Sequence, residues 1–308
     1  MKSTRVLLAT TIALVLTATT ATAAPGDVQT VTTLDYAAGE HPEGIAAARD
    51  GSLYVGMAPT GQLARVDLDG EVTPLGAPAF PAESGYLLGL ALDDDEQVYG
   101  AVVRFDGGPT GVWRYDTDTA AWALFAATDP TGFPNGLAFT DDGTLLVSDM
   151  TLGTIWAVDE TGNVSTWLHD TRLEGGGPND AGVNGLAVAR DGSVWFTNSE
   201  RATVGRITVD RRGAAVGRPK VVAHDDLLTF ADGLTLDRDG NAWVAASYGS
   251  DRLLRVTSRG RVRVVADRSV GLDYTASVTF GRTKRTKHTL YFTNSGDDFQ
   301  EPSVMSYR

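Results

Sequence analysis

One pattern recurs six times along the 308-residue chain, and it restricts the fold more than any other feature. A polar or small residue, usually followed by glycine, opens a short apolar run. A tight turn follows, and a second apolar run returns. The units open at Glu43, Leu88, Asn135, Asn184, Asp232 and Ala276, at intervals of 45, 47, 49, 48 and 44 residues. The turns include Asp50-Gly51, Asp142-Gly143, Asp191-Gly192 and Asp239-Gly240. Asp-Gly between apolar runs is a strong hairpin signal, because glycine reaches positive φ without a Cβ clash. Two more strand-like stretches follow each hairpin, as at 62–66 and 72–75 or 252–256 and 262–265. Four strands per unit of roughly 45 residues is the period of a propeller blade.

The last unit holds three strands, ending at 303–307, while the stretch 28–34 has no unit of its own. Pairing the two closes a ring and removes an open edge. The expected fold is therefore all-β: a six-bladed β-propeller of four-stranded antiparallel blades, with an N-terminal strand closing the last blade. It forms one domain over 24–308. A β-sandwich or an open solenoid is the competing arrangement.

Residues 1–23 read as a secretory signal peptide. Lys2 and Arg5 precede an apolar run over 6–18, and Ala21-Thr22-Ala23 has the small-x-small form of a cleavage site. The run is short for a membrane anchor, the rival reading. The expectation is a secreted protein, extracellular or periplasmic, that leaves the membrane on cleavage. Removing the leader carries the net charge from −13 to −15. That balance argues against a nucleic-acid partner. Zero cysteines exclude disulfides, thiolate metal sites and a cysteine nucleophile.

The column that opens the six units is expected to encircle one mouth of the ring. Four of its members, Glu43, Asn135, Asn184 and Asp232, carry side-chain oxygens. Such a set suits a hard divalent cation, and Ca²⁺ accepts its looser geometry best. Mg²⁺, Mn²⁺ or Zn²⁺ are alternatives, Zn²⁺ being disfavoured because no histidine sits in the column. Asn-Gly and Asp-Gly are also turn formers. Turn chemistry alone does not explain four oxygen residues in one repeat column, nor Glu43 among them.

The six-unit layout and the Glu, Asn, Asn, Asp order in units 1, 3, 4 and 5 resemble the senescence-marker-protein/gluconolactonase/luciferin-regenerating-enzyme family of calcium-dependent propellers. Pro42-Glu43-Gly44, Pro134-Asn135-Gly136, Val183-Asn184-Gly185 and the stretch 231–245 carry the resemblance. It implies that Glu43, Asn184 and Asp232 bind the metal. Asn135 then holds substrate or water, and Asp232 doubles as the base. Family members acting on sugar lactones carry Arg two residues before the unit-3 Asn and Asp directly after it. Here those positions are Phe133 and Gly136, which favours a more apolar small-molecule substrate.

The expected chemistry is Ca²⁺-dependent hydrolysis of a lactone or ester, with Asp232 activating water. A scaffold propeller with a structural metal, or a lyase or strictosidine-synthase-like enzyme on the same fold, are the alternatives. His41 is a conceivable proton shuttle. Phe80, Tyr86, Phe133 and Phe230 are candidate pocket walls. Asp149, Asn198, Ser247 and Asn294 are further polar candidates at the rim, or local caps. The basic run 282–288 reads as a solvated hairpin tip at the far end.

Overall fold

The Asp-Gly turns close hairpins as the repeat requires; Gly143 and Gly192 take φ of 86° and 76°. The computed structural model describes residues 26–79, 81, 84–296 and 300–308. The leader expected at 1–23 and the candidate wall residue Phe80 lie outside them. The strands form six antiparallel sheets of four. Five are consecutive in sequence, at 42–76, 85–127, 134–169, 183–224 and 231–266. The sixth joins Thr275–Phe280, Leu290–Asn294 and Ser303–Tyr307 to the N-terminal strand Val28–Thr33, where Val28 pairs with Tyr307 and Thr33 with Ser303. Each innermost strand packs on that of the next blade, and Pro42–Ala47 against Thr275–Phe280 completes the circle. The expected propeller and its closing strand are both present. Among the described residues no helix is long and apolar enough to cross a membrane.

The core is divided among the seams between blades. Every buried apolar cluster straddles two neighbours. Phe196 of blade 4 packs with Leu146 and Ile155 of blade 3, and Phe292 of blade 6 with Ala245 and Leu253 of blade 5. A single blade therefore has no interior of its own, which is why the repeat must run full circle. Leu34 joins the seam between blades 6 and 1, beside Tyr291, Val304 and Val55. Deleting the chain through Thr33 is expected to lower the thermal midpoint by about 10 °C or more, since it strips paired strand and exposes a sheet edge. Differential scanning fluorimetry of the truncated protein checks this.

The innermost strands share one irregularity. In blade 4, Val183 faces Asn198 and Leu186 faces Phe196, so Asn184 and Gly185 together oppose the single residue Thr197. The same two-against-one bulge falls at 43–44, 88–89, 135–136, 232–233 and 276–277. The column residues thus lie inside the strands, as first members of six bulges, rather than ahead of them. Bulges re-aim side chains, and those of Glu43, Leu88, Asn135, Asn184 and Asp232 line the axial cavity.

Candidate active site and metal centre

Because each column residue occupies the same bulge, the fold delivers four oxygen-bearing side chains to one level of the tunnel. Glu43, Asn135, Asn184 and Asp232 are all buried. They line the floor of a cavity of about 520 Å³ at one mouth. Glu43, Asn135 and Asp232 also border a second cavity on the other side, so the column stands at the waist of the tunnel. Below it, the residues two places on in each unit, Ile45, Leu90, Leu137, Leu186, Leu234 and Val278, form an aliphatic ring around that second cavity. Above it, the residues two places earlier are His41, Tyr86, Phe133, Gly182, Phe230 and Tyr274. All but Gly182 line the mouth.

Two carboxyl groups in this setting are electrostatically uncomfortable. Burial pushes Asp232 up to about 7, against the partial relief of hydrogen bonds from Ser247, the Asn184 amide and the Gly233 N–H. Burial, and then repulsion from Asp232, push Glu43 well above the usual carboxylate range. Asn184 adds a buried Oδ1 with no hydrogen-bond partner, while its Nδ2 donates to Ser199 Oγ at 3.2 Å. An orphaned carbonyl oxygen beside two mutually repelling carboxylates fits a divalent cation, which satisfies all three at once. Among the described residues no group of three His, Asp or Glu side chains is placed to hold a metal, so a cation here would need the amide oxygen as one of its donors. Asn135 differs: its Nδ2 rests on Met150 Sδ at 3.2 Å, a weak acceptor that yields readily to a better one.

A pH dependence follows. In the ion-free protein the folded state keeps a proton on Asp232 that the unfolded chain has already released. Stability is therefore expected to fall as pH rises from about 4 to about 7. Thermal midpoints in chelator should drop between pH 5 and 8, and a divalent cation should restore them while releasing protons.

The rim candidates divide. Ser247 Oγ bonds Asp232 Oδ2 at 3.2 Å and belongs to the site. Asp149, Asn198 and Asn294 brace loops. Asp149 accepts from the N–H of Phe133 and Leu152 and from Trp156 Nε1. Asn198 donates to Glu174 O, and Asn294 accepts from Asp273 N–H. His41 lines the mouth and stacks edge-on against Tyr36, with ring centroids 4.4 Å apart. At the far end Arg282 pairs with Glu96 of blade 2 at 3.0 Å, so the basic run is partly tied down. Sequence reading missed Tyr248 and Tyr274, which line the mouth beside Phe230. The position two before the column would have found Tyr274. Tyr248 follows a strand and has no such signal.

Comparison with known proteins gives a consistent account. No curated protein matches in sequence. The strictosidine synthase-like N-terminal family model matches only residues 27–66. Solved structures with the same fold include regucalcin, a calcium-binding protein from Agrobacterium tumefaciens, at 19% identity and TM-score 0.71, covering 93% of this chain and 95% of that one. A luciferin-regenerating enzyme is similar at 16% identity and TM-score 0.63, covering 91% and 94%. Virginiamycin B lyase from Staphylococcus aureus is similar at 16% identity and TM-score 0.61, covering 87% and 82%. At these identities the likeness shows the fold alone. The SMP-30/gluconolactonase/LRE-like family model matches residues 107–296, more than half of the chain, and the protein belongs to that family.

Proposed function

We propose that the protein is a secreted, divalent-cation-dependent hydrolase that opens a lactone or ester of partly apolar character at the axial mouth. One observation carries this reading: two buried carboxyls and an unpartnered amide oxygen meet on the floor of a substrate-sized cavity. Glu43, Asn184 and Asp232 would hold the cation, with Ca²⁺ the first expectation. A bound cation supplies polarisation of the substrate carbonyl and stabilises negative charge on its oxygen. The remaining work falls to this chain. Asp232, steadied by Ser247, accepts a proton from water as the water oxygen bonds to the acyl carbon. The acyl C–O bond then breaks, and the proton returns to the departing alkoxide. Asn135 Nδ2 turns from the Met150 sulfur to a substrate oxygen and orients it. The walls above exclude water and take the apolar part of the substrate.

The test is a panel of lactones and esters assayed with and without chelator. Turnover that chelator abolishes and Ca²⁺ restores supports the reading. Ca²⁺ binding with no turnover on any member would point to a scaffold propeller instead. A product carrying a new double bond would point to a lyase.

A further inference from the structure

Resting on that reading of the site, we infer that the mouth selects substrates carrying a flat aromatic ring, and that Phe230, Tyr248 and Tyr274 are the residues that select it. The three form one continuous wall. Phe230 and Tyr248 have ring centroids 5.2 Å apart, and Tyr248 and Tyr274 5.6 Å. They come from two blades, and all three line the cavity above the oxygen column. Each sits in left-handed backbone, at φ of 56°, 56° and 58°, which bulky side chains rarely adopt. Strain held at one site, in adjacent residues, is a feature of ligand clamps. Tyr248 is also 63% exposed, so packing alone does not account for it. The rest of the tunnel shows that aromaticity is specific to this level. Below the column, around the second cavity, all six positions are aliphatic. Aliphatic side chains would give the same burial at the mouth. Rings add face and edge contacts that an aromatic ligand exploits and an alkyl chain does not.

The experiment compares a benzo-fused δ-lactone with δ-nonalactone, on wild type and on Tyr248→Gly and Phe230→Leu. Tyr248→Gly removes an exposed ring and relieves the left-handed backbone, so it should fold at least as well as wild type. Intrinsic reactivity cancels in the change of ratio between proteins. The ratio of kcat/KM, aromatic over alkyl, is expected to fall about tenfold in each variant, mostly through KM. A ratio unchanged within twofold in both variants, in an active enzyme, overturns the inference. Binding of 2-naphthoate, followed by titration calorimetry, separates the two readings. Tyr248-dependent binding without turnover of any lactone would sink the hydrolase and keep the aromatic subsite.

A different observation carries a second inference. We propose that two Thr-Asn-Ser segments, 197–199 and 293–295, are positioning elements for the two axial acids. Thr197 Oγ1 donates to Asp232 O at 2.6 Å and Ser199 Oγ to Ala231 O at 2.8 Å. Thr293 Oγ1 donates to Glu43 O at 2.8 Å and Ser295 Oγ to Pro42 O at 2.7 Å. Each acid is therefore gripped on two successive carbonyls by the preceding blade. Ser148 Oγ makes one such link, to the Asn184 carbonyl. The residues at this position in the other blades are Gly56, Ala101 and Ala245, which have no hydroxyl. They precede Leu88, Asn135 and Ala276, none of them a proposed ligand. Hydroxyl links thus occur only where a ligand follows. Ser199 also accepts from Asn184 Nδ2, which fixes the amide and leaves its Oδ1 without a protein partner. The effect is to hold two repelling carboxylates at fixed spacing instead of letting them part.

Calcium titration calorimetry on Thr197→Val, Thr293→Val and Thr197→Ser tests it. The valine variants keep the shape and lose the hydroxyl; Kd is expected to rise about tenfold, and serine should restore it. Unchanged Kd in both valine variants, where Asp232→Asn abolishes binding, overturns the proposal. Unchanged Kd in Asp232→Asn would instead overturn the metal site itself.

Discussion

Asp232→Asn is expected to lower kcat/KM by roughly 10³-fold or more while making the ion-free protein more stable above neutral pH. On the proposed function, the activity loss combines removal of the general base with removal of a metal ligand, and base removal alone is worth about 10²–10⁴-fold. The stability gain comes from the same chemistry. Asp232 is a buried carboxyl pushed up to about 7 beside an equally buried Glu43. At pH 8 the wild-type chain must bury a charge on Asp232, beside a Glu43 whose ionisation that charge opposes, when no cation is present; the amide carries no such charge. At pH 5 wild-type Asp232 is already protonated, and the difference should nearly vanish. Thermal midpoints in chelator at the two pH values, set beside the kinetics, check both halves. A variant that retains activity within tenfold would remove Asp232 from the mechanism. Opposite movement of stability and activity is what a site strained for function produces.

Gly185→Ala should be among the most damaging single-methyl changes in the molecule, costing about 3 kcal/mol or more. A Cβ there would meet Asp232 O at 2.6 Å and Gly233 Cα and Leu234 N at 2.8 Å. These are backbone atoms of the next innermost strand and cannot swing aside. Gly44, Gly89 and Gly136 meet the corresponding carbonyl of the following blade in the same way. The comparison that isolates the cause is Gly192→Ala. Gly192 lies in an exposed turn with nothing within 4 Å of its would-be Cβ. Its penalty is the left-handed conformation alone, about 1–2 kcal/mol. Urea unfolding of the two variants measures the difference. The methyl at 185 should also displace Asp232 and weaken calcium binding, whereas Gly192→Ala should leave binding intact.

Legibility in the sequence followed the range of the interactions. The blades could be read because a hairpin is local: Asp142-Gly143 and its flanking runs report one another within a dozen residues. The oxygen column could be read because the repeat superimposes positions that the fold later superimposes in space. The bulges could not, because Asn135-Gly136 and Asn184-Gly185 look like turns until a partner strand is there to count against. The hydroxyl links escaped for a similar reason. Thr197-Asn198 and Thr293-Asn294 look like local caps. Their threonines bond carbonyls 35 and 250 residues away, and no local pattern encodes that. Tyr248 was invisible because its importance lies in touching Phe230 and Tyr274 across a blade boundary.

The closing strand also has a consequence in time. Val28–Thr33 emerges from the ribosome early, yet its partner Ser303–Tyr307 is the last strand of the six blades to be made. Until then the first strand has no sheet, and the seam around Leu34, Tyr291 and Val304 has no second side. Ring closure couples segments about as far apart as the chain allows, a topology that folds slowly. Glu43 reaches its hydroxyl link from Thr293 only at that same step. A chain cut short before blade 6 therefore lacks both its latch and the hydroxyls that grip Glu43 and Pro42 at the proposed metal centre. Completion of the sixth blade and assembly of the site become a single event.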